Sequence, residues 1–211
     1  FAEMAVNGMR LDNPQQKPVA VYINGRYWGL YWLCENQNED FYAARHNLDR
    51  DNIEMIKRNS YALSGTKYEI QAVRSYARSH NLGNEEYYQK FIQWVDEESI
   101  MDYIIAETFF GNGDMFNQKY WRETNYEAEW RLIFYDLDGA LHSKTSNLLH
   151  SYFNKEGVPS ANGSLTNMDI QYALLQNDGW KEQFIERYAY LLNTTLSQDA
   201  VLELFDSMVE Q

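Results

Sequence analysis

The stretch "KPVAVYINGRYWGLYWLCE" at residues 17–35 constrains this chain most. Two runs rich in β-branched and aromatic residues flank Asn24-Gly25. Both residues of a two-residue hairpin turn take positive φ, which Asn and Gly tolerate, so the pair predicts an antiparallel hairpin with strands at about 18–23 and 26–34. The aromatics of "RYWGLYW" alternate as on a half-buried sheet, so core packing is the expectation for them and an interaction surface the alternative. Cys34, the single cysteine, lies in this apolar stretch and reads as a small buried hydrophobe; one thiol forms no internal disulfide.

Downstream, "NEDFYAARHNL" opens as a helix N-terminus, and "NIEMIKR" alternates as a third strand with Lys57 near its end. Helical spacing runs over about 67–80 and 85–95, broken by "NLGN". "DEESIMDYIIAETFF" is a helix with an acidic cap and apolar residues all round, which predicts a buried central helix ending at Gly111. "KYWRE" and "EWRLIFYD" pair as strands across "TNYEA". A polar stretch follows to about residue 167, then the helical patterns "MDIQYALLQN", "DGWKEQFIERYAYLLNTT" and "SQDAVLELFDSMVEQ". No apolar runs able to feed a parallel sheet follow Asp138, which argues against a doubly wound α/β fold. The class is α+β. With 211 residues and 45% hydrophobic content, the chain reads as one domain over 1–211, with a reduced β-rich lobe over 1–59 and a helical lobe over 60–211.

A formal net charge of -13 repels nucleic acid and anionic lipid, so a nucleotide needs a divalent cation between it and the protein. No apolar run approaches the roughly 20 residues of a membrane span. The chain starts at Phe1 without an initiator Met and reads as a trimmed piece, whose smaller lobe is expected to be incomplete and to expose apolar surface. His46, His80, His142 and His150 lack metal-ligand spacing and no Gly-x-Ser-x-Gly elbow occurs, so zinc and serine-hydrolase chemistry fall away. "NGS" at Asn162 and "NTT" at Asn193 match glycosylation acceptors, a pattern short enough to recur by chance.

The chemistry concentrates in "GNGDMFNQKYW" and "RLIFYDLDGAL". The predicted hairpin between them brings Asp114, Asn117, Asp136 and Asp138 together as oxygen ligands, which suit Mg²⁺ or Mn²⁺. Asp136 and Asp138 share a face if their strand continues. The alternative is that these residues only cap turns.

These segments resemble the CotH (spore coat protein H) kinase family. The Asn-Gly hairpin ending in a Glu, "NIEMIKRN", "KYEIQ", the Gly-Asn-x-Asp loop in "GNGDMFNQKYWR", the strand end "RLIFYDLDGAL" and the tail "LLQNDGWKEQFIERYAYLLNTTLS" follow in the family's order. The resemblance implies a divergent protein-kinase-like fold that binds ATP with Mg²⁺ or Mn²⁺ and phosphorylates protein substrates. It also implies a bacterial protein of the spore coat, cell envelope or extracellular space. By motif, Lys57 would contact the α/β-phosphates with Glu69, or else Glu35, as acidic partner. Asp114 would act on the acceptor hydroxyl, Asn117 would be a metal ligand, and Asp136 the main metal ligand with Asp138 beside it, the order of the last two staying open. Asn117 follows Asp114 by three residues, where kinases and most of the family place the Asn about five on. In place of a Gly-rich phosphate loop, Gly25 and Gly29 flank the hairpin. "LIFYDLDGALHS" is also similar to the Asp-x-Asp-Gly motif of haloacid-dehalogenase-type phosphatases, which need it on the first strand of a parallel sheet. A third reading is a non-catalytic binding or assembly protein that keeps the kinase-like shell.

Overall fold

The computed structural model describes residues 1–58, 61–114, 117–124, 128–143, 145, 147–153, 158–159, 165–166 and 168–210. A one-turn helix, α1 (Ala2–Ala5), buries Ala2 and Ala5. The hairpin follows as β1 (Gln16–Ile23) and β2 (Arg26–Cys34), with Asn24 and Gly25 at φ 51° and 77°. The register shifts by one residue at Val21/Tyr22, and Gly29 opposite Val21 takes φ 155°. At its base Gln15 N–H donates to Glu35 Oε2 at 2.8 Å and Glu35 N–H to the Gln15 carbonyl at 3.0 Å.

The hairpin is a separate two-stranded sheet. Its aromatics do not enter a core: Trp28 is 63% and Leu30 67% exposed, and Tyr27, Tyr31 and Trp32 are exposed as well. Core packing was the wrong expectation for "RYWGLYW", and Cys34 is likewise exposed rather than buried. Alternation fitted the residues for a packed face, but among the described residues no helix covers that face.

Helix α2 (Glu39–His46) is capped by Asn38, whose Oδ1 accepts Phe41 N–H at 3.1 Å. Then come β3 (Ile53–Lys57) and β4 (Tyr61–Ser64), the latter without a clear sequence signal. Helices α3 (Tyr68–Ser79), α4 (Glu85–Phe91) and α5 (Glu97–Phe109) match the predicted patterns. Strands β5 (Lys119–Glu123) and β6 (Arg131–Ile133) complete a four-stranded antiparallel sheet of order β4-β3-β5-β6. The expected lobe boundary near Asn59, itself outside the described residues, falls between β3 and β4, which pair with each other.

This sheet is covered on both sides, and period 2 sorts its residues. Ile53, Met55, Trp121 and Ile133 pack with Tyr42 and Ala43 of α2, while Ile56, Tyr120 and Leu132 join the main core with Ile100, Tyr103 and Ile104 of α5. Asp96 caps α5 by accepting Ser99 N–H at 2.9 Å, and the helix is buried nearly all round. Its Asp102 is fully buried, and it accepts from Arg10 N–H at 2.6 Å and from Arg187 Nε and a terminal nitrogen at 2.8 and 2.7 Å. A buried carboxylate is tolerated when it is paired and hydrogen-bonded in this way.

A short helix α6 (Leu149–Tyr152), the strand pair β7 (Val158–Pro159) and β8 (Leu165–Thr166), and helices α7 (Asp169–Leu174), α8 (Asp178–Asn193) and α9 (Gln198–Val209) complete the chain. Of the two glycosylation patterns, Asn162 lies outside the described residues; Asn193 ends α8 and its amide donates to the Ala189 carbonyl at 2.7 Å. No described helix is long and apolar enough to cross a membrane. The whole is mixed α+β, with small antiparallel sheets and many helices.

Candidate functional site

The site grows from the end of α5. Gly111, at φ 62°, turns the chain out of the helix, the usual task of glycine just past a helix C-terminus. Asn112 is then buried and ties two loops: its Oδ1 accepts Asp114 N–H at 3.1 Å and its Nδ2 donates to the Asp136 carbonyl at 3.3 Å. Gly113 N–H donates to the Gly139 carbonyl at 3.1 Å. A Cβ on Gly139 would lie 2.8 Å from Asn112 Oδ1, so a side chain there would displace the Asn112 amide that ties the loops. Asn112 and Gly139 carried no role in the sequence reading, although both lie inside its motifs.

Asn117 N–H donates to the Asp114 carbonyl at 3.0 Å. The Asn117 amide donates to Asp136 Oδ2. The strand does not continue through Asp136 and Asp138 as anticipated. It stops at Ile133, Asp136 takes φ 61° and ψ 56°, and Leu137–Gly139 form a 3₁₀ turn. Asp is among the few non-glycine residues that visit this left-handed region, and the Asn112 amide on its carbonyl helps to hold it there. Asp114, Asp136 and Asp138 are all exposed. The backbone carbonyl of Asp138 bonds His142 Nε2 at 2.9 Å.

Among the described residues no three His, Cys, Asp or Glu side chains are grouped to hold one ion. The expected convergence of all the acids is therefore not found, and the contact that forms is between Asn117 and Asp136. The donors still fit a hard cation. Asn117 Oδ1 is buried without a donor among the described residues, beside a carboxylate. Mg²⁺ needs one or two protein oxygens when substrate phosphates and water complete its shell.

Lys57 reaches this region because β3 pairs with β5 in the register Lys57↔Lys119. Both ammoniums lie over the Tyr135 ring, Lys57 Nζ at 5.8 Å and Lys119 Nζ at 3.7 Å from its centroid. Lys119 was missed; its only sequence signal is its place at the start of "KYWRE". Burial and the Lys57 charge lower its ammonium below the ordinary value, and Asp136 opposes them. Burial, with the Asp136 and Asp114 charges, pushes the Tyr135 hydroxyl up. Neither proposed acidic partner pairs with Lys57. Glu69 is exposed at the start of α3, and Glu35 closes the hairpin base.

Glu107 of α5 is the second residue missed, legible only as an acid inside an apolar helix. It is fully buried, and neither carboxyl oxygen has a well-formed hydrogen bond among the described residues. Burial raises its pKa from the ordinary 4.5 to about 8 against the pull of Asn112 and Tyr103, and the Asp114 and Asp136 charges add to the rise. Glu107 therefore carries a proton at neutral pH beneath the Asp114 and Asp136 loops.

The dehalogenase-type reading loses its topology: the strands before Asp136 are antiparallel, and β6 is an edge strand. A family model described as CotH kinase protein matches residues 4–211. The chain belongs to the CotH kinase family. No curated protein matches it.

Proposed function

We propose that this chain is an ATP- and divalent-metal-dependent protein kinase of the CotH type, acting on proteins of a bacterial coat, envelope or extracellular space, with a divergent kinase-like division into a small β-rich and a larger helical lobe. The observation that carries the reading is the contact of Asn117 with Asp136, which leaves a buried amide oxygen beside an exposed carboxylate. Asp136 and Asn117 would hold Mg²⁺ or Mn²⁺, with Asp138 on the adjoining turn. The ion, bound with ATP, would neutralise charge on the triphosphate. Asp114 would take the proton of the acceptor hydroxyl, whose oxygen receives the γ-phosphoryl group as ADP leaves. Its exposure at a loop tip supports that role. Lys57 would contact the phosphates without an acidic partner from Glu69 or Glu35.

Calorimetric titration of Mn²⁺ and ATP tests the assignment. Asp136→Ala is expected to abolish binding with the fold intact. Asp114→Ala is expected to keep ATP affinity and to lose about 10²–10⁴-fold in phosphoryl transfer, the usual range for a general base. Unchanged binding by Asp136→Ala would sink the reading. The exposed aromatic hairpin favours a second one, a non-catalytic binding or assembly protein on the same shell; a wild type that binds no nucleotide would select it.

A further inference from the structure

We propose that Lys119 and Lys57 form one two-cation cradle for a phosphate chain, with Lys119 as a second phosphate-binding residue of this site. The inference deepens the kinase reading and rests on it for the identity of the ligand as ATP.

Lys57 and Lys119 face each other directly across β3 and β5. Like charges directly opposite one another in a sheet are destabilising. The chain has 31 acidic residues against 18 Lys and Arg, and its partly buried cations generally hold a carboxylate: Arg74 with Asp169, Arg122 with Glu54, Arg131 with Asp96, Arg187 with Asp102. Among the described residues, no ion pair is formed by Lys57 or Lys119. Both ammoniums instead lie by one aromatic ring, 5.8 and 3.7 Å from its centroid, whose negative quadrupole attracts them. That ring belongs to Tyr135, directly before Asp136, and its hydroxyl is buried without a partner among the described residues.

A pair of cations held together at a cost, beside the candidate metal carboxylate, matches a ligand with several adjacent anionic groups and a bound cation. A phosphate chain has that chemistry, and lysine binds phosphate as a compact point charge. The same chemistry is offered by ATP and by inorganic tripolyphosphate, so both serve as probes.

The experiment titrates ATP with Mn²⁺, and separately inorganic tripolyphosphate, into wild type, Lys119→Met and Lys119→Arg, with thermal melts of each protein alone. Lys119→Met keeps the aliphatic stem on Tyr135 and removes the like-charge pair, so it is expected to melt no lower than wild type. It is expected to bind both probes about 10- to 100-fold more weakly, the scale of one charge-assisted hydrogen bond. Lys119→Arg is expected to stay within about threefold of wild type, because the charge is kept. If wild type binds tripolyphosphate but not ATP, the cradle stands and the kinase reading falls. Equal ATP binding by wild type and a folded Lys119→Met overturns the cradle and leaves the kinase reading in place. Wild type that binds neither probe overturns both.

Discussion

The hairpin β1–β2 and the four-stranded sheet draw on the same residues, Val, Ile, Tyr, Trp and Leu, yet their environments are opposite. Trp28 on β2 is 63% exposed, while Trp121 on β5 is 3% exposed and stacks on Tyr42 with ring centroids 4.4 Å apart. Both sheets are antiparallel, and each carries a register shift, at Val21/Tyr22 and at Met55/Ile56. They differ in what lies on their faces: α2 covers one side of the larger sheet and α5 the other, whereas the hairpin is joined to the body through its base. Gln37, just past that base, donates to the Asp12 and Phe134 carbonyls at 3.1 and 3.3 Å. Strand propensity thus records fitness for a pleated surface, and burial is conferred by neighbours from elsewhere in the chain.

The largest effect should separate the two tryptophans. Trp121→Ala is expected to cost about 3–5 kcal/mol, as for other large core truncations, and Trp28→Ala to stay within about 0.5 kcal/mol, as for an exposed site. Urea unfolding midpoints measure both. A loss of about 2 kcal/mol or more at Trp28 would break the comparison, because it would mean that the hairpin is covered in solution.

A somewhat smaller effect follows from charge. The hairpin strands carry no carboxylate, while the core holds Glu107. Its pKa rises on folding from 4.5 to about 8, so between those values the native state holds a proton that the unfolded chain has released. Stability is therefore fully present below about pH 4.5 and lost as pH rises through about 8, by on the order of a few kcal/mol. Glu107→Gln should flatten that part of a stability-against-pH curve measured by denaturant titration. A slope unchanged by the substitution would mean that Glu107 is hydrated or paired.

The smallest effect belongs to the turn. Gly25 sits at φ 77°, and Gly25→Ala should cost about 1 kcal/mol locally. The strain should appear as faster amide exchange in Tyr22 and Tyr27, with the global unfolding midpoint unmoved, since the hairpin does not share the core. A matching drop in the midpoint would couple the hairpin to the body and again narrow the difference between the two sheets.

The sequence by itself determined what depends on local dihedrals and near neighbours. The Asn24-Gly25 turn, the helix starts at Asn38 and Asp96, the helical exit at Gly111 and the strand "KYWRE" are each fixed by residues a few positions apart. The loops bearing Asp114, Asn117 and Asp136 were legible for the same reason, as motifs with their own turn chemistry. Only the tertiary structure decided that the hairpin aromatics are exposed, that Asp136 leaves the strand for a left-handed conformation, that Lys119 and Lys57 both lie by Tyr135, and that Glu107 is buried under the loops while Asp102 finds Arg187. Each of these depends on which distant segment packs against the residue, and burial, desolvation and cross-strand register arise only once those segments meet.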